Sequence, residues 1–154
     1  MSSNRADTPV LAVTMGDING VGPEIMLKAL IDPSVSSAAR VVVFGSYDVL
    51  REASTVIPCN RPLRAVDDLS SALAEPAAIP VCDLGLNPGP WQPGLLKAEA
   101  GRCAVEWFRG AVTAALQGSV PAVVTGPLNK EGIPVAGFTT FPRTTAVPPE
   151  VTTP

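Results

Sequence analysis

The sequence predicts an α/β fold, a mostly parallel sheet flanked by helices. Short apolar runs at residues 10–14, 40–44, 79–84 and 121–125 are bounded by glycine or proline, as expected of strands covered on both faces. Segments of helical period lie between several of them, so strand and helix alternate. The composition, 46% hydrophobic, 16% charged and 5% aromatic, fits layered α/β packing better than a disordered chain or a coiled coil.

Val10 to Thr14 form the first strand, and Gly16, Gly20 and Gly22 punctuate the loop that follows. The first helix is expected to start at Pro23, because the N–H that proline lacks is unpaired at the first helical position anyway. Ile25, Met26, Ala29 and Leu30 are its expected packed face, with Glu24 and Lys28 as an i, i+4 pair. Asp32-Pro33-Ser34 reads as a turn. Arg40 to Phe44 form a second strand, after which Ser46 caps a helix running through Leu50 to Ala53, with Val49, Leu50 and Ala53 as its apolar face. Strand, helix and strand at this spacing make a βαβ unit, so the centre of the sheet is expected to be parallel.

Further on, Arg64 to Val66 read as a short strand, Leu69 to Ala74 as a helical turn and Ile79 to Leu84 as a strand. Pro88, Pro90 and Pro93 with Gly85, Gly89 and Gly94 mark an irregular connection. Residues 98–117 carry the strongest helical pattern, with Ala104, Val105, Phe108, Ala111, Val112, Ala115 and Leu116 on one face and Gly118 as the stop. Pro121 to Thr125 read as another buried strand. Residues 1–8 are a polar tail. Residues 139–154 contain six Thr and four Pro with no helical or strand period, and read as a Thr/Pro-rich tail without a packed structure of its own.

A chain of 154 residues suits one domain. Its net charge of −3 and pI near 4.8 argue against a general nucleic-acid or anionic-membrane surface. The polar start and the lack of a membrane-length apolar run lead us to expect a cytoplasmic protein. Cys59, Cys82 and Cys103 form no Cys-x-x-Cys pair and read as ordinary partly buried thiols. The sequence has no histidine, which excludes Ser-His-Asp and Cys-His catalysis within this chain and removes the commonest catalytic zinc ligand.

In open α/β sheets ligands gather beyond the carboxyl ends of the strands. If their strands are neighbours, Asp17, Asn19, Gly20, Gly22, Thr125, Asn129 and Lys130 converge there as a substrate- or anion-binding cleft. The glycine loop meets a helix N-terminus, where free N–H groups and the dipole favour an anion; the other reading is a tight βα turn. It matches neither the dinucleotide fingerprint nor a Walker loop, which counts against a general nucleotide-binding module. Lys130 reads either as a cation for a phosphate or substrate oxygen or as a solvated lysine, and Asp17 either as a site residue or as a loop stabiliser. No catalytic residue and no metal ligand is assigned.

Two stretches carry a resemblance to a known family. Thr14-Met15-Gly16-Asp17-Ile18-Asn19-Gly20-Val21-Gly22-Pro23-Glu24-Ile25 and Val124-Thr125-Gly126-Pro127-Leu128-Asn129-Lys130, with Val43-Phe44-Gly45-Ser46, Gly101-Arg102 and Ala136-Gly137, resemble the 4-hydroxythreonine-4-phosphate dehydrogenase (PdxA) family. The resemblance covers about residues 8–142 and only the amino-terminal part of a family member, so residues 9–138 are expected to be a partial PdxA-like region. It implies a truncated fold similar to isocitrate and isopropylmalate dehydrogenases. It also implies a homodimer that oxidises 4-phosphohydroxythreonine or a related phosphorylated hydroxy acid, in vitamin B6 biosynthesis or sugar-acid catabolism. The cofactors it implies are NAD and a divalent metal (Zn, Mg or Co).

The family continues with Phe-Pro-Gly-His-Thr-Glu, whose His and Thr contact substrate, whereas here Phe141-Pro142 precede Arg143-Thr144-Thr145-Ala146. Its metal-binding histidines fall beyond Pro154. The abrupt change near Pro142 leads us to expect a frameshift or premature end. Two readings follow: an enzyme of the family, or a catalytically inactive fragment that binds only an anion or a partner subunit.

Overall fold

The computed structural model describes residues 8–72, 74–75 and 77–138. Five parallel strands form one sheet: β1 (Val10–Thr14), β2 (Arg40–Phe44), β3 (Leu63–Ala65), β4 (Ile79–Cys82) and β5 (Ala122–Thr125), in the order β3-β4-β2-β1-β5. β1 is flanked by β2, with Val13 opposite Val43, and by β5, with Thr14 opposite Thr125. The expected parallel α/β architecture is thus observed.

Helix α1 (Gly22–Ile31) starts one residue before Pro23, with Val21 at the cap. Its buried face is Pro23, Met26, Leu27 and Leu30: Met26 and Leu30 are buried as anticipated, whereas Ile25 is 50% exposed and Ala29 is also exposed. The segment is apolar almost all round, so packing rather than spacing selects the face. Glu24 and Lys28 form no ion pair among the described residues. Asp32-Pro33-Ser34 is not a free turn but the start of α2 (Pro33–Ala38): Asp32 Oδ1 accepts the Ser34 N–H at 2.8 Å, the N-cap geometry, and Pro33 fits the first turn.

Helix α3 (Tyr47–Ala53) is capped as anticipated, with Ser46 Oγ accepting the Val49 N–H at 3.3 Å and Val49, Leu50 and Ala53 buried. α4 (Leu69–Ala72) is a single turn. α5 (Ala98–Leu116) lies against β1, β2 and β5 and ends before Gly118, at φ 73°. It buries Ala100, Cys103, Ala104, Trp107, Ala111 and Ala114, whereas Phe108 and Val112 are half-buried and Leu116 is exposed. Trp107 is the largest fully buried side chain, and its indole N–H donates to the Asp83 carbonyl at 2.9 Å, so burying the ring strands no polar atom. A short α6 (Gly132–Val135) packs on α5.

β5 corrects another expectation. It is an edge strand with Ala122 exposed and Val124 48% exposed, rather than a buried one. An apolar run of four residues does not by itself reveal whether a strand has one neighbour or two.

Candidate functional site

The pairing of β1 with β5 brings two loops together at the carboxyl end of the sheet. The Gly126 N–H donates to the Thr14 carbonyl at 2.8 Å and approaches Thr14 Oγ1 at 3.3 Å. Further out, the Asp17 N–H donates to the Pro127 carbonyl at 3.1 Å. Asp17, Asn19 and Gly20 on one loop therefore lie beside the stretch that carries Thr125, Asn129 and Lys130.

Gly16 and Gly126 make this contact sterically feasible, and a Cβ on Gly126 would fall 2.4 Å from the Thr14 oxygen. Gly16 has φ 78°, and a Cβ there would fall 2.2 Å from the Pro127 oxygen. A Cβ on Gly22 would fall 2.3 Å from the Met15 oxygen, so Gly22 faces the backbone of its own loop and serves the tight βα turn. Gly20 differs: it is exposed, and nothing lies closer than 3.5 Å to its Cβ direction.

Asp17 is 6% exposed, and its Oδ1 accepts the Asn19 N–H at 3.0 Å while its carbonyl accepts the Gly20 N–H at 3.2 Å. This is the local self-bonding by which aspartate shapes turns. Asn19, 3% exposed, reaches across to residues 92–94: its Oδ1 accepts the Gln92 N–H at 2.9 Å and its carbonyl the Gly94 N–H at 2.7 Å. Thr125 is half-buried. Asn129 is exposed and its Oδ1 accepts the Glu131 N–H at 3.0 Å, whereas Lys130 is exposed and in no ion pair among the described residues. No side chain caps α1, so its first-turn N–H groups face the loop without a side-chain acceptor.

Residues 91–94 and Thr14 are the participants that sequence reasoning missed. The Pro/Gly-rich connection announces irregularity but not destination, and Thr14 reads as the end of a strand at the head of the family-like stretch, with no role of its own.

Among the described residues no group of three His, Cys, Asp or Glu could hold a metal ion, and the sequence contains no histidine. These residues do not fit a divalent metal by themselves. The thiols offer no nucleophile either: burial pushes Cys103 up to about 11 and raises Cys82, and the half-buried Cys59 donates to the Arg61 carbonyl at 3.4 Å. A cavity of about 510 Å³ opens at the other, amino-terminal end of the strands, bordered by Leu30, Val35, Arg40, Arg61, Ala78 and Pro80. Arg61 there is committed to the carbonyls of Leu30, Ala77 and Ala78.

The sequence profile of the family described as "Pyridoxal phosphate biosynthetic protein PdxA" matches residues 37–152. The chain belongs to the PdxA family. The match extends past Phe138 into the Thr/Pro-rich stretch, which lies outside the described residues. Among PdxA relatives, D-threonate 4-phosphate dehydrogenase of Pectobacterium atrosepticum is 38% identical over 131 residues, covering 83% of this chain and 40% of the relative. The 4-hydroxythreonine-4-phosphate dehydrogenase of Synechococcus is 39% identical over 124 residues, covering 79% and 34%. The crystal structure of a 4-hydroxythreonine-4-phosphate dehydrogenase from Burkholderia phymatum superposes with a TM-score of 0.82 at 36% identity, covering 90% of this chain and 42% of that one. The chain thus spans about 40% of the length of the curated PdxA relatives it matches.

Proposed function

We propose that this chain supplies one wall of the site of a dehydrogenase that oxidises 4-phosphohydroxythreonine or a related phosphorylated hydroxy acid with NAD and a divalent metal. The observation that carries the reading is the joined pair of loops at the carboxyl ends of β1 and β5, in a family whose relatives are named as dehydrogenases of 4-phosphorylated threonine derivatives. NAD, when bound, would accept a hydride from the carbinol carbon. The chain's own contribution is binding and orientation. Lys130 and the uncapped start of α1 favour an anionic substrate oxygen, Asn129 and Thr125 offer polar contacts, and Asp17 and Gly22 shape the loop that leads into α1.

We further propose a cytoplasmic homodimer; among the described residues no helix is long and apolar enough to cross a membrane. The second reading, an inactive fragment that binds only an anion or a partner subunit, rests for the isolated 154-residue chain on its lack of histidine and its span of roughly 40% of its relatives. NAD reduction with 4-phosphohydroxythreonine, with and without divalent metal, separates the two: we expect no turnover from this chain alone, and metal-dependent turnover would refute the fragment reading. Thermal stabilisation by the same compound, lost in Lys130→Ala, would support the wall assignment; an equal shift in both proteins would remove Lys130 from it.

A further inference from the structure

The sheet has two edges, and they differ in how they discourage further pairing. β3 is three residues long with Arg64 at its centre, and a charge on an edge strand keeps other strands away. β5 has neither charge nor proline between Ala122 and Thr125, and Ala122 and Val124 are exposed. Its main chain is open as well. N–H and C=O groups alternate in direction from one residue of a strand to the next. The Gly126 N–H meets the Thr14 carbonyl of β1, so Ala122 and Val124 also bond towards β1, whereas Val123 and Thr125 point away from it. Neither Val123 nor Thr125 has a main-chain partner on that side among the described residues.

This edge is complementary to itself. Under a twofold axis at Val124, an antiparallel second copy sets Val123 opposite Thr125 and Thr125 opposite Val123, and each such pair exchanges both N–H···O bonds. Val124 then meets Val124 of the second copy with Cβ atoms about 4.5–5.5 Å apart, which covers two exposed valines. Ala122 falls opposite Gly126, a pair too small to obstruct the approach. Pro121 falls opposite Pro127, and because neither has an N–H the ladder stops at both ends without stranding a donor. Residues 118–129 carry no charge, so like charges are nowhere set against each other along the pairing. The equal spacing of the two prolines about Val124 selects a second copy over an unrelated strand.

We propose that two copies of this chain pair β5 to β5, antiparallel and in the register centred on Val124, to make one continuous sheet. The pairing gives the homodimer proposed above a surface and rests on that stoichiometry alone, independently of dehydrogenase activity. It consumes the edge that makes it, so it closes at two copies instead of growing into a fibre. The ladder is short, which places the interface at the small end of the range and makes the dimer concentration-dependent.

The test is sedimentation velocity of the full chain over a concentration series, with charges placed at Val124. Wild type should pass from monomer to dimer as concentration rises. Val124→Lys and Val124→Glu change an exposed side chain, and each should raise the dissociation constant about tenfold, because like charges then stand directly opposite each other. An equimolar mixture of the two variants should recover the dimer, since lysine then faces glutamate. Unchanged dissociation constants in both variants would overturn the β5 edge and leave the homodimer to another surface. A mixture no tighter than either variant alone would overturn the register, and with it the proposal. A wild type that stays monomeric would overturn both this pairing and the homodimer. Should the variants fail to fold, amide exchange in wild type decides: the Val123 and Thr125 amides should slow as concentration rises while that of Val124, already bonded to β1, does not. Exchange at Val123 and Thr125 that is independent of concentration overturns the pairing, whether it is fast, as for an open edge, or slow, as for an edge covered within one chain.

Discussion

Replacing Gly16 with alanine puts the joined loops to their most direct test. Two costs are expected from the geometry. A residue with a Cβ at φ 78° costs about 1–2 kcal/mol relative to glycine. The new Cβ would also lie 2.2 Å from the Pro127 oxygen, a backbone atom that cannot swing aside, so the loops must separate and the 3.1 Å bond from the Asp17 N–H is lost. Leaving a buried donor unpaired adds about 1–3 kcal/mol. Together the substitution should cost roughly 2–5 kcal/mol, a large part of a typical domain's stability. Urea unfolding followed by circular dichroism would report it as a lower midpoint at an unchanged slope. Gly20→Ala is the control: its nearest neighbour is at 3.5 Å, and the change should stay within about 0.5 kcal/mol. If Gly16→Ala is as mild as Gly20→Ala, the two loops are not held as described.

Other consequences can be measured in the same way. A Cβ on Gly101 would lie 2.6 Å from the Gly132 oxygen, so Gly101→Ala should push α6 off α5 and cost about 1–3 kcal/mol; an unchanged urea midpoint would contradict that packing. Cys103 binds its proton more tightly folded than unfolded, so its contribution is fully present below the ordinary value of 9.0 and is lost as pH rises towards about 11. Stability should therefore fall with rising pH across that window in wild type and fall less in Cys103→Ala, as read from urea midpoints at a series of pH values; identical slopes would refute the burial argument.

What the sequence made legible was local. The Ser46 cap, the βαβ unit and the stop at Gly118 are written in neighbouring residues, and all three are observed. The meeting of the loops after β1 and β5 was legible for a different reason: ligand loops in parallel sheets share one end, so only the adjacency of the strands had to be added. Tertiary choices were not legible. α1 offers apolar residues in nearly every direction, and the packed core takes Leu27 rather than Ile25 and Ala29. Asp32-Pro33-Ser34 is ambiguous because an aspartate that bonds a main-chain N–H two residues on begins turns and helices alike. Asn19 shows the limit most sharply, since its partner Gln92 is 73 positions away and nothing near either residue announces the other.

The place of β1 between two strands sets a schedule for synthesis. One flank, β2, is complete by Phe44, but the other, β5, is not complete until Thr125. At about 5–20 residues per second, the gap of some 80 residues leaves one edge of β1 bare for roughly 4–16 seconds in a nascent chain. Val10 to Val13 are apolar and the whole of β1 is uncharged, so during that interval the emerging polypeptide carries an adhesive edge without gatekeeping charges. A pause in synthesis before Thr125 is added would lengthen this exposure.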